Sequence, residues 1–285
     1  MVRYLQKERL VWRRPQKGDK AIAMRGEERW ESKSELGKLL KRNHFVYSVR
    51  ELCETDSTNR VARELAVDGA PEGTLVVAKR QSMGKGRLGR SFYSPEGGIY
   101  MSMVLRPGIP AEQAVFITTC AAVAVARAIE RVSGVPAGIK WVNDIFVNGK
   151  KVCGILAEAG FDAETGKPDY VVLGIGINVK RQAVPEDLKE IVGCLEDAAA
   201  AWVSRNELIA AVWEEYAELY GTLSAADYMK EYKERSILMG REVTVYAPEG
   251  EYRAVVTDID REGHLVVERQ GERRILSSGE ISVRL

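Results

Sequence analysis

The sequence is organised around a basic, glycine-rich loop that reads Gln81-Ser82-Met83-Gly84-Lys85-Gly86-Arg87-Leu88-Gly89-Arg90. This loop follows a strand-like apolar run over residues 74–78, and residues 84–90 contain three glycines and three cations. Glycine lets the backbone approach a ligand closely, and Lys and Arg supply the positive charge that phosphate oxygens need. The loop therefore favours an anion site, with a solvated basic loop as the alternative.

Two known phosphate motifs do not fit this loop. Gly84, Gly86 and Gly89 have the spacing of the dinucleotide fingerprint. That fingerprint also needs a helix that starts in the loop and an acidic residue about 20 positions further on, and the sequence predicts neither. The Walker A spacing fails because Lys79 stands in place of its first glycine and no Ser or Thr follows Lys85.

The composition is that of a globular protein with one large or two smaller domains. A chain of 285 residues can bury a sufficient core, and a net charge of +1 does not require a nucleic acid or a membrane as partner. Four cysteines without paired spacing and only two histidines predict reduced core cysteines in a cytoplasmic protein, and no zinc site. We expect neither a membrane span nor a secretory signal.

The first 43 residues differ in charge from the rest of the chain. They hold 13 Lys and Arg against 6 Asp and Glu, a net charge of +7, which leaves −6 for the remainder of a chain whose total is +1. A basic arm can contact nucleic acid, but we expect a poorly packed extension with one short helix over residues 34–42. Residues 1–43 are too few for a winged helix-turn-helix, so we expect no DNA-binding domain.

Hydrophobic patterns divide the rest of the chain into a main domain, residues 44–236, and a small β-barrel, residues 237–285. In the main domain the predicted strands are residues 45–52, 74–78, 99–105 and 170–179, and the predicted helices are residues 60–66, 111–132, 206–219 and 225–234. Asn148-Gly149 between two β-rich runs predicts a hairpin. Four short strands with glycine-containing turns between them predict the barrel.

Polar residues at the predicted strand ends are further candidates for a site. Asp56-Ser57-Thr58-Asn59 lies where a strand gives way to a helix, so it either caps that helix or contacts a ligand. Four side chains surround the predicted hairpin, namely Lys140, Asn143, Asp144 and Lys151. Lys151 either serves a site or guards a sheet edge against aggregation. Gly174 and Gly176 inside a strand predict a bulge or a ligand close to the backbone.

In the order in which they occur, these motifs resemble those of the biotin protein ligase family. The matching stretches are Asp56-Ser57-Thr58-Asn59, Gln81 with residues 84–90, Ser94-Pro95-Glu96-Gly97-Gly98-Ile99-Tyr100, Lys140-Trp141-Val142-Asn143-Asp144, Lys151-Val152-Cys153-Gly154-Ile155-Leu156-Ala157-Glu158 and Gly174-Ile175-Gly176-Ile177-Asn178. Each stretch is a weak signal alone, but together they are specific. The resemblance implies an α+β fold like that of class II aminoacyl-tRNA synthetases, in which helices flank a mixed β-sheet and an SH3-like β-barrel follows.

The resemblance also implies a two-step reaction. Biotin's carboxylate attacks the α-phosphorus of ATP, in the presence of Mg²⁺, and gives biotinyl-5′-adenylate and pyrophosphate. A lysine of a biotin carboxyl carrier domain then displaces AMP. No covalent enzyme intermediate is required, so the protein contributes positioning and charge stabilisation. The implied partner is the carrier domain of a carboxylase; DNA and membranes are not expected, and a homodimer is left open.

Matching residues take their expected roles from the family. The implied catalytic residues are Lys151, Arg87 and Asp144. The residues implied to bind biotin are Ser57, Thr58, Asn59, Gln81, Lys85, Gly86, Arg87 and Lys151, and those implied to bind ATP are Gly84, Arg87, Arg90, Lys140, Asn143, Asp144 and Asn178. Lys151 would lie beside biotin's carboxylate, and Arg87 and Arg90 would stabilise pyrophosphate. The loop would close over the ligands, and Trp141 is expected in the core.

The sequence departs from the family pattern at three positions. Val142 stands where proline is common, Lys85 where arginine is common, and Leu88 where some members are basic. Because Arg87 and Arg90 remain, we expect anion binding to persist. Two alternatives stay open: a lipoate ligase of the same superfamily, and a nucleic-acid-binding protein that uses the basic arm.

Overall fold

The computed structural model describes residues 34–110, 113–161, 168–200, 202–247, 250–277 and 282–284. Within these ranges a larger unit of helices and strands is followed by a smaller unit of strands, which confirms the predicted α+β class. Residues 1–33, most of the predicted basic extension, lie outside the described residues.

The larger unit contains five helices and seven strands within the described ranges. The described helices are α1 (Glu35–Leu40), α2 (Thr58–Val67), α3 (Val115–Ser133), α4 (Arg205–Tyr220) and α5 (Met229–Glu234). The strands of the larger sheet are β1 (Ser48–Thr55), β2 (Thr74–Gln81), β3 (Ile99–Leu105), β4 (Gly138–Lys140), β5 (Asp144–Val147), β6 (Lys150–Phe161) and β7 (Pro168–Ile177). None of the helices within the described ranges has the length and apolar character needed to cross a membrane.

The larger sheet is mixed, and its strands lie in the order β1-β2-β3-β7-β6-β5-β4. β1 and β2 are parallel with α2 between them in the chain, whereas every other neighbouring pair is antiparallel. β1 continues to Thr55, beyond the predicted end at Leu52, and pairs there with Gln81 at the end of β2. This register places residues 56–59 next to Gln81.

Helices cover both faces of the larger sheet. α2 packs on one face, where Val61 and Ala62 share a buried cluster with Val76 and Val104. α3 and α4 belong to the main core on the other face, and 12 of the 19 residues of α3 are buried. A helix that is apolar all round belongs in the centre of a core, where burying one Val, Leu or Ile contributes about 1.5–3 kcal/mol.

Two helices begin later than the sequence predicted. α3 begins at Val115 rather than at residue 111, and α5 begins at Met229 rather than at Ala225. Before α5, Leu223–Ala225 form a 3-10 turn that ends at Ala226, whose φ is 54°. A residue in the left-handed region cannot continue a right-handed helix, so the apolar pattern around Ala225 is divided into two pieces.

The predicted hairpin at Asn148-Gly149 is confirmed. These two residues join β5 to β6, and their φ angles are 49° and 77°. Two consecutive positive φ angles are typical of the type I′ turn, which Asn and Gly adopt most readily. The turn therefore fixes which residues of β5 and β6 face each other beside the site.

The smaller unit is an antiparallel sheet in the order β11-β10-β9-β8-β12. Its strands are β8 (Glu242–Ala247), β9 (Gly250–Ile259), β10 (Leu265–Arg269), β11 (Glu272–Leu276) and β12 (Ser282–Arg284). The sequence predicted the first four of these strands and missed β12. The described strands form an open sheet consistent with an SH3-like domain. Closure into a barrel stays a prediction, since residues 278–281 between the two edge strands lie outside the described ranges.

The described end of the N-terminal segment is packed. Ser34 caps α1 as predicted, because its Oγ accepts a hydrogen bond from Gly37 N at 3.0 Å. Leu36 and Leu40 are buried in the main core, where α1 packs against α4. The expectation of poor packing is therefore wrong for residues 34–43, and the domain boundaries themselves stay predictions.

The cysteines agree with the expected reduced state but not fully with the expected burial. All four are free; Cys120, Cys153 and Cys194 are buried, whereas Cys53 is exposed on β1. Burial raises the pKa of the Cys194 thiol to about 11. This thiol is therefore protonated at neutral pH and is a poor metal ligand or nucleophile.

Candidate functional site

A cavity of about 580 Å³ lies over the larger sheet, between the start of α2, the glycine loop and the β5–β6 hairpin. A cavity of this size accommodates a small molecule or cofactor. Most of the predicted site residues line it: Ser57, Thr58, Asn59, Gln81, Lys85, Gly86, Arg87, Arg90, Lys140, Asn143, Asp144 and Lys151. The fold therefore brings together residues that are up to 94 positions apart in the chain.

Glycines on neighbouring strands form the floor of this cavity. Gly154 of β6 pairs with Gly176 of β7, and Gly174 lies two residues earlier on the same face. A Cβ at Gly174 would lie 2.0 Å from Asn59 Oδ1, and one at Gly176 would lie 2.5 Å from Phe92 Cε1. β7 runs past both glycines without a bulge. The predicted close approach is thus made by two protein side chains that also line the cavity.

Hydrogen bonds fix the polar groups on one wall. Gln81 Oε1 lies 2.8 Å from Thr58 N and 3.0 Å from Thr58 Oγ1. Gln81 Nε2 donates to Ser94 Oγ at 2.9 Å, and Ser94 Oγ donates to the carbonyl of Phe92 at 2.9 Å. Because Ser94 accepts from the Gln81 amide nitrogen, the amide oxygen of Gln81 faces Thr58.

Ser57 begins α2 but does not cap it with its side chain. It occupies the N-cap position, yet its hydroxyl makes no capping hydrogen bond. Asp56 holds the backbone here instead, since its Oδ1 accepts from Ser57 N at 2.7 Å. A hydrogen bond from the Arg60 guanidinium lowers the pKa of Asp56 to about 2. Of the two sequence interpretations of residues 56–59, the geometry at Ser57 favours ligand contact.

Asn59 lines the cavity, but protein groups hold both ends of its amide. Asn59 Nδ2 donates to Glu158 Oε2 at 2.8 Å, and Asn59 Oδ1 lies 2.6 Å from Ser102 Oγ. Its side chain is 6% exposed. The prediction that Asn59 is a direct ligand of biotin therefore has less geometric support than the same prediction for Thr58 and Gln81.

The rest of the cavity lining carries an excess of positive charge. Five lining side chains are cations (Lys85, Arg87, Arg90, Lys140 and Lys151), whereas the lining carboxylates are Asp144 and Glu190. Burial lowers the pKa of Arg87, and nearby Asp144 opposes this shift. An arginine remains charged at neutral pH under such a change. The cavity therefore suits a polyanion such as a nucleoside triphosphate.

The hairpin places Lys151 inside the sheet, and the alternative role as an edge guard is wrong. β6 lies between β5 and β7, and Lys151 pairs with Phe146 on one side and forms a bridge with Val192 on the other. Lys151 Nζ lies 2.7 Å from Asp144 Oδ1, and both side chains are about one quarter exposed. An ion pair that is partly open to a cavity can exchange its partner for a ligand anion.

The connection between β4 and β5 is fastened to distant parts of the chain. Trp141 Nε1 donates to the carbonyl of Gly263, in the turn between β9 and β10, at 3.0 Å. Tyr232 Oη on α5 donates to the carbonyl of Val142 at 3.0 Å. Trp141 is 5% exposed, which confirms the expectation that it belongs to the core. The smaller unit thus contributes directly to the position of Lys140, Asn143 and Asp144.

Two predicted site residues do not line the cavity. A Cβ at Gly84 would lie 2.4 Å from the carbonyl of Phe92, so this glycine permits close packing at the base of the loop. Asn178 Nδ2 donates to the carbonyl of Gly193 at 3.1 Å and secures the segment that carries Glu190. Their predicted contacts with ATP stay predictions, and their geometry indicates supporting roles.

Several residues at the site were not predicted. Phe92 packs on the glycine floor, Ser94 orients Gln81, and Ser102 and Glu158 hold Asn59. Ser102 carries a signal in the sequence, because it is the one small polar residue within the apolar strand Ile99–Leu105. The others depend on strand register, which single-sequence patterns do not specify.

Carboxylates that could hold a divalent metal are sparse at the cavity. In the part of the chain that the structure describes, the cluster of three possible ligands is Asp260, Glu262 and His264, located between β9 and β10. At the cavity Asp144 and Glu190 are the lining carboxylates. Mg²⁺ commonly binds one or two carboxylates together with substrate phosphates, so these residues fit a metal that arrives with ATP.

Comparison with protein families gives two matches that together span most of the described chain. Residues 51–178 match the biotin/lipoate A/B protein ligase family, and residues 238–284 match the biotin protein ligase C terminal domain. The second match coincides with the smaller sheet.

Three individual proteins with similar sequences or folds carry names of ligases. The chain is 38% identical over 229 residues to the bifunctional ligase/repressor BirA of Bacillus subtilis, which covers 78% of this chain and 70% of that protein. It is 29% identical over 239 residues to the biotin–[acetyl-CoA-carboxylase] ligase of Mycobacterium tuberculosis, covering 81% and 86%. The fold is similar to that of the biotin protein ligase from Aquifex aeolicus in complex with biotin and ATP, with a TM-score of 0.72, 28% identity, and coverage of 84% and 99%.

Proposed function

The chain belongs to the biotin/lipoate A/B protein ligase family, and we propose that it is an ATP-dependent biotin protein ligase whose cavity carries out both half-reactions. In the first, biotin and ATP give biotinyl-5′-AMP and pyrophosphate. In the second, a lysine of a biotin carboxyl carrier domain receives the biotinyl group and AMP is released. The cavity, with a wall of fixed amide and hydroxyl groups beside a cluster of five cations, is the observation that carries the proposal.

Biotin is favoured over lipoate by the C-terminal segment of the chain and by its relatives. Residues 238–284 match the C-terminal domain of biotin protein ligases, and the relatives and structural neighbours described above are biotin ligases. The polar wall agrees with this choice, because a ureido ring offers N–H and C=O groups whereas a dithiolane ring offers none. Thr58 and Gln81 are the side chains placed to contact the ureido ring.

In the adenylation step Lys151 is the residue best placed to hold biotin's carboxylate. Its ammonium faces Asp144 at 2.7 Å within the cavity, so a carboxylate can share or replace that partner. The biotin oxygen forms a bond to the α-phosphorus while the bond to the pyrophosphate oxygen breaks. Arg87 and Arg90 stabilise the charge on the departing pyrophosphate, as preorganised cations do in phosphoryl transfer.

In the transfer step the carrier lysine attacks the acyl carbon of biotinyl-5′-AMP. A bond forms between the amine nitrogen and that carbon, and the bond from the carbon to the phosphate oxygen breaks. Lys151 withdraws charge from the acyl oxygen, and AMP leaves with the electron pair. Asp144 accepts a hydrogen bond from the incoming amine, orients it, and takes up the proton that the nitrogen loses as the amide forms. Lys140 and Asn143 line the nucleotide side of the same cavity.

Mg²⁺ bound to ATP supplies charge neutralisation at the phosphates, and Asp144 and Glu190 are the carboxylates that would hold it. The carrier domain of a carboxylase is the protein partner, and the cytoplasm is the compartment in which both carrier and ATP are present. A homodimer and the absence of DNA binding stay predictions from the sequence.

Transfer to a carrier domain tests this function. The purified chain is incubated with ATP, Mg²⁺ and a biotin carboxyl carrier domain, with either biotin or lipoate as the acid. We expect the mass of the carrier to increase by one biotinyl group, and no increase when its acceptor lysine is replaced by arginine. Transfer of lipoate without transfer of biotin would contradict the proposal.

A further inference from the structure

Behind the polar wall, a line of hydrogen-bonded groups runs across three strands of the sheet. Glu158 on β6 binds Asn59 on α2, Asn59 contacts Ser102 on β3, and Ser102 contacts Thr58. Ser102 is fully buried, at 0% exposed, and Thr58 is 3% exposed. An unmade hydrogen bond at such depth costs about 1–3 kcal/mol, so each group must be satisfied by its neighbours.

Gly174 makes this arrangement possible. On β7 it lies between Ser102 of β3 and Leu156 of β6, with which it pairs. A Cβ at Gly174 would stand 2.0 Å from Asn59 Oδ1, so only glycine lets the Asn59 amide lie flat on the sheet. The amide can then reach from Ser102 on one side to Glu158 on the other.

Counting protons assigns the direction of each hydrogen bond. Asn59 Nδ2 donates to Glu158 at 2.8 Å, because an ionised carboxylate in an ion pair with Arg63 is an acceptor only. The Asn59 oxygen therefore faces Ser102 and has no proton of its own. Ser102 has a single proton, which must serve the 2.6 Å contact with Asn59 Oδ1.

The direction at Thr58 follows from this assignment. Ser102 Oγ also lies 2.7 Å from Thr58 Oγ1, and with its own proton committed it can only accept there. Ser102 and Thr58 together have two protons for three oxygen–oxygen contacts, and the longest contact, 3.0 Å between Thr58 Oγ1 and Gln81 Oε1, is the one left without a proton. Thr58 therefore gives its proton to Ser102 and turns its lone pairs toward Gln81 and the cavity. Gln81 Oε1 still receives the Thr58 backbone N–H at 2.8 Å, and its second lone pair also faces Thr58 and the cavity.

We propose that Ser102, with Glu158 as the anchor, is a positioning residue that makes the Thr58 hydroxyl a hydrogen-bond acceptor and so selects a substrate ring carrying N–H donors. The inference rests on the proposed function, because the ureido ring of biotin supplies such donors. Neither residue touches the substrate. If these hydrogen bonds ran in the opposite direction, the Thr58 proton would point toward Gln81 and the Thr58 hydroxyl would be a weaker acceptor for the substrate.

Removing the Ser102 hydroxyl tests the direction of the line. In biotin-dependent exchange of pyrophosphate into ATP, we expect Ser102→Ala to raise the KM for biotin roughly tenfold, the equivalent of one hydrogen bond, while kcat and the KM for ATP change about twofold or less. The inhibition constant of lipoate, which offers no ring N–H, should not change. Ser102→Cys, which keeps a weak donor, should fall between wild type and Ser102→Ala.

Matched variants separate positioning from loss of stability. Thr119→Ala removes another fully buried hydroxyl, bonded to Tyr228 on the far side of the core, and should leave the KM for biotin unchanged. Glu158→Ala frees the Asn59 amide to rotate and should raise the KM for biotin. Arg63→Ala removes only the outer partner of Glu158 and should not. If Ser102→Ala does not fold, the comparison of Glu158→Ala with Arg63→Ala decides.

The outcomes distinguish this inference from the proposed function. An unchanged KM for biotin in both Ser102→Ala and Glu158→Ala would overturn the positioning role. So would an equal rise in Thr119→Ala, or a parallel rise in the inhibition constant of lipoate, since a general loss of structure affects every ligand. A wild-type chain without biotin-dependent exchange would instead overturn the proposed function, and the positioning role with it.

Discussion

The glycine loop and the β4–β5 connection line the same cavity but are held in different ways. Within the loop, Gly86 N donates to the carbonyl of Arg90 at 2.7 Å, and Leu88 is 52% exposed with a φ of 55°. One of its contacts with the β4–β5 connection is the hydrogen bond from Arg87 to Asn143 at 3.3 Å. The β4–β5 connection, in contrast, is bonded to α5 and to the smaller sheet through buried groups.

This difference assigns different tasks to the two regions. The β4–β5 connection is fixed, and it leads directly into the β5–β6 hairpin. Together they keep Asp144 and Lys151 in place before the substrates arrive, which is what electrostatic stabilisation requires. The tip of the loop, residues 85–90, is shaped by internal hydrogen bonds from Gly86 to Arg90 and from Arg90 to Arg87, and it can open for biotin and ATP and close on them. Substitutions in the hairpin should therefore affect the chemical step, and substitutions in the loop should affect retention of the intermediate.

The largest effect is expected at the hairpin, from Lys151→Ala. Loss of the cation beside the reacting carboxylate should reduce the rate of adenylation about 100-fold or more, the size typical for one electrostatic group in an active site. Pyrophosphate exchange measures this rate directly. Lys150→Ala is the control, because Lys150 is exposed on the same hairpin and donates to the carbonyl of Lys189. Equal activity of the two variants would contradict the role of Lys151.

The next effect is expected in the loop, from Arg87→Gly. Loss of a charge-assisted contact should speed release of biotinyl-5′-AMP roughly tenfold or more, with a smaller effect on its formation. Release is measured as biotinylation of lysines on an added bystander protein. Arg80→Gly, which removes an exposed arginine paired with Glu54, is the control. Retention of the adenylate as in wild type would show that Arg87 does not hold the loop closed.

A smaller effect is expected where the β4–β5 connection is fastened to α5. Tyr232→Phe leaves the carbonyl of Val142 without its donor, which should lower stability by about 1 kcal/mol and kcat a few-fold. Tyr228→Phe removes an equally buried hydroxyl that donates to the carbonyl of Phe116, away from the hairpin. We expect a similar fall in Tm for both variants but a lower kcat only for Tyr232→Phe. Equal kcat values for the two variants would show that the contact with α5 does not affect the position of the catalytic residues.

The smallest effect concerns pH and residue Asp56. Its pKa in the folded protein, about 2, is below its ordinary value of 3.8 because Arg60 donates to it. Asp56 therefore adds stability above about pH 4, and this contribution is lost as the pH falls toward 2. Since the pair is largely exposed, the contribution is small. Chemical denaturation of wild type and Asp56→Asn should show a modest difference at pH 6 that disappears at pH 2; a difference that persists at pH 2 would contradict it.

Much of the fold and most of the cavity could be predicted from local patterns. The Asn148-Gly149 turn, the buried run of α3 and the polar motif at residues 56–59 each depend on neighbouring residues, so the sequence contains their signals. The division of the 225–234 pattern at Ala226 and the start of α3 at Val115 were missed, because tertiary packing decides where a helix begins.

The remaining part of the site depends on long-range register. Asn59 was predicted as a ligand, but the positions of Ser102, Gly174 and Glu158 on three neighbouring strands determine that its amide binds protein groups. The contact between Trp141 and Gly263 joins residues 122 positions apart. No pattern within a short window encodes such pairs, so the structure was needed to find them.

The central claim is that this cavity activates biotin, and pyrophosphate exchange tests it most directly. The wild-type chain is incubated with ATP, Mg²⁺ and labelled pyrophosphate, without a carrier domain, in the presence of biotin, lipoate or neither acid. We predict labelled ATP with biotin and only background with lipoate or without an acid. Exchange that depends on lipoate, or no exchange with biotin, would contradict the claim.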